Sequence, residues 1–146
     1  MNRLAVVATA GVVAGGIAGC SSEPPPAERQ PGTLVPGTAQ VTVNGQDLGT
    51  TELVQCTPAG TLTTITTGDS TSGVTAMVSN RDELLAESVA INNLGGFTGS
   101  YNAGLGGTAK VTMTGRTYDI TGTADGFNTD NPSFRANGTF AIKVSC

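Results

Sequence analysis

The sequence has no histidine, no tryptophan and only three cysteines among its 146 residues. Without an imidazole, no Ser-His-Asp or Cys-His arrangement can assemble in its usual form. A zinc site loses its common nitrogen ligand, and no Cys-x-x-Cys spacing replaces it. Cations are scarce as well: seven Lys and Arg stand against eleven Asp and Glu, and they are scattered. Nucleic-acid binding needs clustered Lys and Arg, so that class is excluded, and an electrostatic membrane anchor with it. Four Phe and two Tyr are the whole aromatic content. Such a chain fills a modest core and has little left to line a voluminous apolar pocket. Long hydrophobic runs are missing too. Leu4 to Ile17 carries no charge, yet about fourteen residues at 1.5 Å each reach only ~21 Å, short of the ~30 Å hydrocarbon core.

That short run follows Met1-Asn2-Arg3 and ends in small residues. A positive start, a brief apolar middle and a small-residue end describe a secretory signal peptide, not a span. Its last residues, Ile17-Ala18-Gly19-Cys20, match the bacterial lipobox: a branched apolar residue and two small ones before a cysteine. By resemblance to bacterial lipoproteins, Cys20 would take a diacylglycerol as a thioether, cleavage would follow Gly19, and the new amine would be acylated. Two or three chains give durable anchoring where one binds marginally, at ~0.8 kcal/mol per CH₂. The expected organisation is therefore a signal peptide over 1–19, a lipidated Cys20 and linker over 20–38, and a β domain over 39–146. Losing Arg3 with the leader leaves six basic residues against eleven acidic ones.

Ser21 to Thr38 holds five of the seven prolines, three of them consecutive. Polyproline geometry at about 3.1 Å per residue makes this a stalk lifting the domain from the bilayer. Beyond it two cysteines remain, Cys56 and Cys146. In an exported chain an even pair reads as a disulfide, because the outer compartment is oxidising. Two buried free thiols or a metal pair are the alternatives.

From Ala39 the texture is short and alternating, with 23 threonines in the whole chain, a residue that favours strands. Gln40 to Val43 runs into Asn44-Gly45, the dipeptide of a type I′ hairpin turn. Thr50–Cys56 and Thr61–Thr67 flank an expected turn at Pro58-Ala59-Gly60, and Val74–Ser79 follows. Asn80–Ile91 is helical by propensity over Arg81–Glu87, but the surrounding strands favour a hairpin with Leu85, Val89 and Ile91 on one face. Phe97–Asn102, Ala109–Thr114 and Thr117–Thr121 follow, with Val111, Met113, Tyr118 and Ile120 alternating with polar residues. In the last strand Phe140, Ile142, Val144 and Cys146 share one face, which points Cys146 inward, between sheets. The fold class is all-β: a small antiparallel β-sandwich or flattened barrel of about eight short strands.

Candidate chemistry is thin. Lys110 and Lys143, the partners a Ser-Lys dyad would need, sit on outward faces. Gly104-Leu105-Gly106-Gly107 lacks the Lys-Ser/Thr and helix of a phosphate loop and reads as a hairpin loop. Asp125 to Asn131 crowds side-chain oxygens as Ca²⁺ requires, but without EF-hand spacing or a closing Glu. Asx-turns explain that run better. Asp82 and Glu83 read as a solvated turn rather than a catalytic pair. Neither a cofactor nor a metal is implied, and no enzyme.

The residues Val41-Thr42-Val43-Asn44-Gly45 with Asp47, Cys56, Tyr118 to Ala124 with Gly126, Asn131-Pro132 and Phe140-x-Ile142-x-Val144-x-Cys146 together carry a resemblance. In order and spacing they resemble the mycobacterial nineteen-kilodalton lipoprotein antigens, the LpqH-like family, over about Ala39 to Cys146 plus the lipobox. The resemblance implies a lipid-anchored protein on the extracytoplasmic side of the cell membrane. It further implies a surface antigen whose lipidated N-terminus meets a host pattern-recognition receptor, Toll-like receptor 2. The alternative is a lipid or glycolipid carrier of the envelope. The family's best-known member carries sugar on a long Thr-rich linker; this linker is short and proline-rich, with only Thr33 and Thr38.

Overall fold

A computed structural model describes Gly19 and residues 28–146. Ten strands follow one another: β1 Ala39–Val43, β2 Gln46–Thr51, β3 Val54–Ala59, β4 Leu62–Gly68, β5 Gly73–Ser79, β6 Leu85–Leu94, β7 Phe97–Asn102, β8 Ala109–Thr114, β9 Thr117–Asn128 and β10 Ala136–Ser145. All pair antiparallel in one curled sheet of order β2-β1-β10-β9-β7-β6-β5-β4-β3, with β8 also against β9. The result is a nearly closed barrel, all-β as the alternation predicts. Among the described residues no helix is long and apolar enough to cross a membrane.

The long strand β9 splices two neighbours along one edge. Its first half, Thr117–Gly122, pairs with β8, and its second, Gly126–Asn128 with Asp125, pairs with β7. The alternation in the sequence predicts this strand over Thr117–Thr121 only, yet it continues through Gly122 and Gly126 to Asn128. Both glycines are points of close approach: a Cβ on Gly122 would strike the Thr108 carbonyl, and one on Gly126 the Thr98 carbonyl. The β1–β2 hairpin turns as expected, with Asn44 and Gly45 at φ 51° and 78°.

The core is the concave face. Val41, Val43, Ile65, Val74, Val89, Ile91, Phe97, Ile120, Phe140, Ile142 and Val144 are all buried. Each contributes roughly 1.5–3 kcal/mol of burial. Phe97 fills the centre because two glycines make room for its ring. A Cβ on Gly99 would lie 2.6 Å from Phe97 Cζ, and one on Gly138 2.7 Å.

Four local expectations are corrected. The Thr50–Cys56 stretch breaks at Glu52-Leu53, where the Leu53 N–H donates to Thr51 Oγ1 at 3.1 Å. Two strands result, so ten replace the expected eight or so. Pro58 and Ala59 belong to β3 rather than to a turn, a position Pro tolerates because β3 is an edge strand. The β5–β6 hairpin forms as read, but Leu85 is exposed and Ala86 takes the inward place. A bulge explains the swap: Met77 faces Ser88 while Val78 faces Ala86, so Glu87 is unpaired and the side-chain parity flips. Met113 shares Val111's face but lies 43% exposed, opposite Tyr118.

Candidate functional site

The end of the barrel where β1 begins and β10 finishes gathers most of the features that could carry function. Two Pro-Gly-Thr triplets shape the chain entering it, Pro31-Gly32-Thr33 and Pro36-Gly37-Thr38. In each, Pro sits second and Gly third in a turn, with Gly32 and Gly37 at φ 85° and 81° as a type II turn requires. The Thr then donates back twice. Thr33 N–H and Oγ1 reach the Gln30 carbonyl at 3.1 and 2.6 Å, and Thr38 reaches the Val35 carbonyl at the same two distances.

Between the turns the chain forms a strap. Gly37 N–H donates to the Ser145 carbonyl at 2.8 Å, and Ser145 N–H donates to the Thr38 carbonyl at 3.0 Å, extending the β1–β10 ladder. Leu34 N–H then donates to Thr117 Oγ1 at 3.1 Å. Ser145 and Thr117 are cross-strand partners on the convex face, yet each is only 2% exposed. The strap covers them. Leu34, Gly37 and Thr38, read as part of the stalk, are thus hydrogen-bonded to the barrel.

Beside the strap lies the disulfide. Cys56 on edge strand β3 and Cys146 after β10 are bridged with Cα atoms 5.9 Å apart, 90 residues apart in sequence. Ten strands form one sheet, so it does not lie between sheets; it ties edge strand β3 to the end of β10. Cys146 N–H also donates to the Arg116 carbonyl at 3.3 Å. A cleft of about 450 Å³ opens here, lined by Gly37, Val54, Cys56, Pro58, Thr63, Arg116, Tyr118 and Cys146. It offers apolar walls, one cation and no activated nucleophile.

Comparison with known proteins agrees with this layout. A family model described as Mycobacterium 19 kDa lipoprotein antigen matches residues 32–146, beginning at the strap. The chain belongs to the mycobacterial 19 kDa lipoprotein antigen family. It is similar to a putative lipoprotein of Mycobacterium indicus pranii, 38% identical over the whole of both chains. A putative lipoprotein of Mycobacterium avium subsp. hominissuis is 36% identical over 99% of this chain and 96% of its own. Lipoprotein LpqH of Mycobacterium tuberculosis (strain H37Rv) is 33% identical over 100% of this chain and 99% of its own. Membership of this lipoprotein family makes the chain a membrane-associated protein of the cell envelope.

The lipoprotein's other sequence candidates do not converge. Cys20 lies outside the described residues. Lys110 is exposed on β8, and Lys143 faces Asp119 at 4.0 Å. Asp82 and Glu83 stand in the exposed β5–β6 turn, at the rim of an outer cleft of about 510 Å³ with Arg81, Leu85 and Glu87. The Asp125–Asn131 run is mostly strand: β9 continues to Asn128, which separates Asp125 from Asp130 in the turn beyond. Among the described residues no three His, Cys, Asp or Glu side chains gather as metal ligands. The strap escaped the sequence reading. Its signal was present in the repeated Pro-Gly-Thr triplet bracketing the apolar pair Leu34-Val35.

Proposed function

We propose that this chain is an acylated surface antigen, held in the envelope through Cys20 and displaying its barrel outside the cell membrane. Residues 1–19 leave as a signal peptide, and Cys20 becomes the lipidated first residue of the mature protein. Residues 39–146 supply the displayed domain, with the strap before them fixing how the chain enters it. The single observation that carries this reading is the lipobox Ile17-Ala18-Gly19-Cys20 on a chain of a lipoprotein antigen family. The protein acts without catalysis, a view supported by the absence of histidine from the sequence and by the dispersal of its carboxylates. Its host partner is a pattern-recognition receptor that reads the acyl chains, Toll-like receptor 2. Cys20→Ser tests this: the variant should leave the membrane fraction, keep its β spectrum and lose receptor stimulation. Full receptor stimulation by the unacylated variant would overturn the reading.

The cleft beside the disulfide supports a second reading, an envelope lipid carrier, because Val54, Tyr118 and the two sulfurs give it apolar walls. Organic extraction of the domain purified from its own host, followed by mass spectrometry, separates the two. One lipid at near-stoichiometric yield favours the carrier; a clean extract favours the antigen.

A further inference from the structure

We infer that the acid-rimmed cleft on the outer wall of β4, β5 and β6 receives the Phe134-Arg135 tip of a second copy of this chain, so that copies held on one membrane associate head to tail. The membrane part of this rests on the acyl anchor at Cys20 proposed above. The socket and the tip belong to the barrel itself.

The register of three strands builds the socket. Leu62 on β4 lies opposite Ser79 on β5, and Ser79 lies opposite Leu85 on β6. Met77 stands two residues before Ser79 and shares its face. Ala76, Val78 and Ala86 take the core side. Leu62, Met77 and Leu85 are therefore outward, and none of them belongs to the core cluster. The same three line the cleft of about 510 Å³ together with Arg81, Asp82, Glu83 and Glu87. Three carboxylates against one guanidinium put a net negative rim around an apolar floor. That arrangement fits an apolar side chain carried next to a cation.

The chain presents such a tip. Phe134, 69% exposed, is the one exposed aromatic among the described residues, and the exposed Arg135 follows it. Its N–H donates to the Asn131 carbonyl at 3.1 Å, in the loop between β9 and β10. Asp130, the acid of that loop, forms no ion pair with Arg135 among the described residues. The tip lies far from the socket of its own barrel. Asn128 at the end of β9 pairs with Phe97, beside the β6–β7 turn, whereas the socket lies by Leu85 at the other end of β6. A strand of ten residues separates them by roughly 30 Å, at ~3.3 Å per residue. Tip and socket at opposite ends make the contact heterologous, so it repeats from copy to copy instead of closing in a two-fold pair. One Phe and one Arg cover far less than the ~1,200 Å² of a stable interface. The contact is weak between free molecules and gains from the raised effective concentration of copies anchored in one plane.

Photocrosslinking tests this. Full-length acylated protein carrying p-benzoylphenylalanine at position 134 is reconstituted in phosphatidylcholine vesicles and irradiated. A ladder of dimers, trimers and larger species is expected, with the crosslinks mapped by mass spectrometry to Leu62, Met77 or Leu85. Arg135→Glu should lower the yield severalfold, and Asp82→Lys with Glu83→Lys should do the same. The three changes together should restore it. No crosslinked species from protein that does sediment with the vesicles would overturn the contact. Crosslinks from position 134 to position 134, or spread evenly over the barrel, would overturn the head-to-tail geometry, and a yield indifferent to charge reversal the acidic rim's role. Protein that fails to sediment with vesicles would instead overturn the anchor, and the membrane-held array with it.

Discussion

At the scale of single residues, small side chains do much of the positioning. Gly138 lies under the Phe97 ring, and a methyl group there would sit 2.7 Å from Cζ. Backbone on both sides is fixed by the β9–β10 ladder, so the ring must move. Gly138→Ala should cost about 1–3 kcal/mol, the range for overpacking, in a denaturant titration. In the Phe97→Leu background the same change should cost distinctly less, because the clashing atoms are gone. Equal costs in both backgrounds would remove the ring from the explanation. Asp69 makes a different local claim. Its carboxylate accepts from Thr71 Oγ1 at 2.7 Å and from the backbone N–H of Thr71 and Ser72 at 2.9 and 3.0 Å. The Thr71 hydroxyl first, and the two N–H groups after it, hold its pKa below the usual 3.8. A lowered folded-state pKa stabilises above the unfolded value and is lost as pH falls through the folded one. An NMR titration should place Asp69 below 3.8, and Thr71→Val should move it back up.

Elements show where pattern sufficed and where it did not. Edge strand β3 is held by β4 on one side and by the Cys56–Cys146 bridge. Cys146→Ser should cost roughly 2–5 kcal/mol, and the amides of β3 should be the first to lose hydrogen-exchange protection. Uniform loss across all strands would show that the bridge is not a local clamp. The strap makes a parallel prediction. Thr117→Val removes the acceptor of the Leu34 N–H and should cost about 1 kcal/mol; deleting residues 33–36 should lower Tm further. Strands β7 and β8 stood in the sequence at their observed bounds, since alternation over a one-sided core leaves a period of two. The Ala86 for Leu85 exchange did not, because a bulge flips parity without any mark in hydrophobicity. Nor did the reach of β9, where glycines that usually end strands serve close packing. The bridge between Cys56 and Cys146 was readable from cysteine parity and the inward face of β10. The cleft beside it was not, because it arises where β3 meets the ends of β9 and β10, strands far apart in the chain.

On the proposed reading, the whole molecule divides its work between the barrel and an acyl anchor at Cys20. The barrel's stability comes from one concave core, one bridge and the strap, all within residues 33–146. Cys20 lies thirteen residues before the first of these, Thr33, across a segment with three consecutive prolines. A stretch so poor in apolar surface offers little to offset ordering entropy of ~1–2 kcal/mol per residue. Removing the acyl chains should therefore change where the protein is without changing how firmly it folds. Cys20→Ser and the acylated protein in detergent should melt within a degree or two of each other, although one is soluble and the other partitions with membranes. Shortening the linker by deleting Glu23–Ala27 should leave Tm equally unmoved. A Tm several degrees lower in either variant would mean that the lipidated segment packs on the barrel, with the apolar cleft beside Cys146 and Tyr118 as the place where it does so.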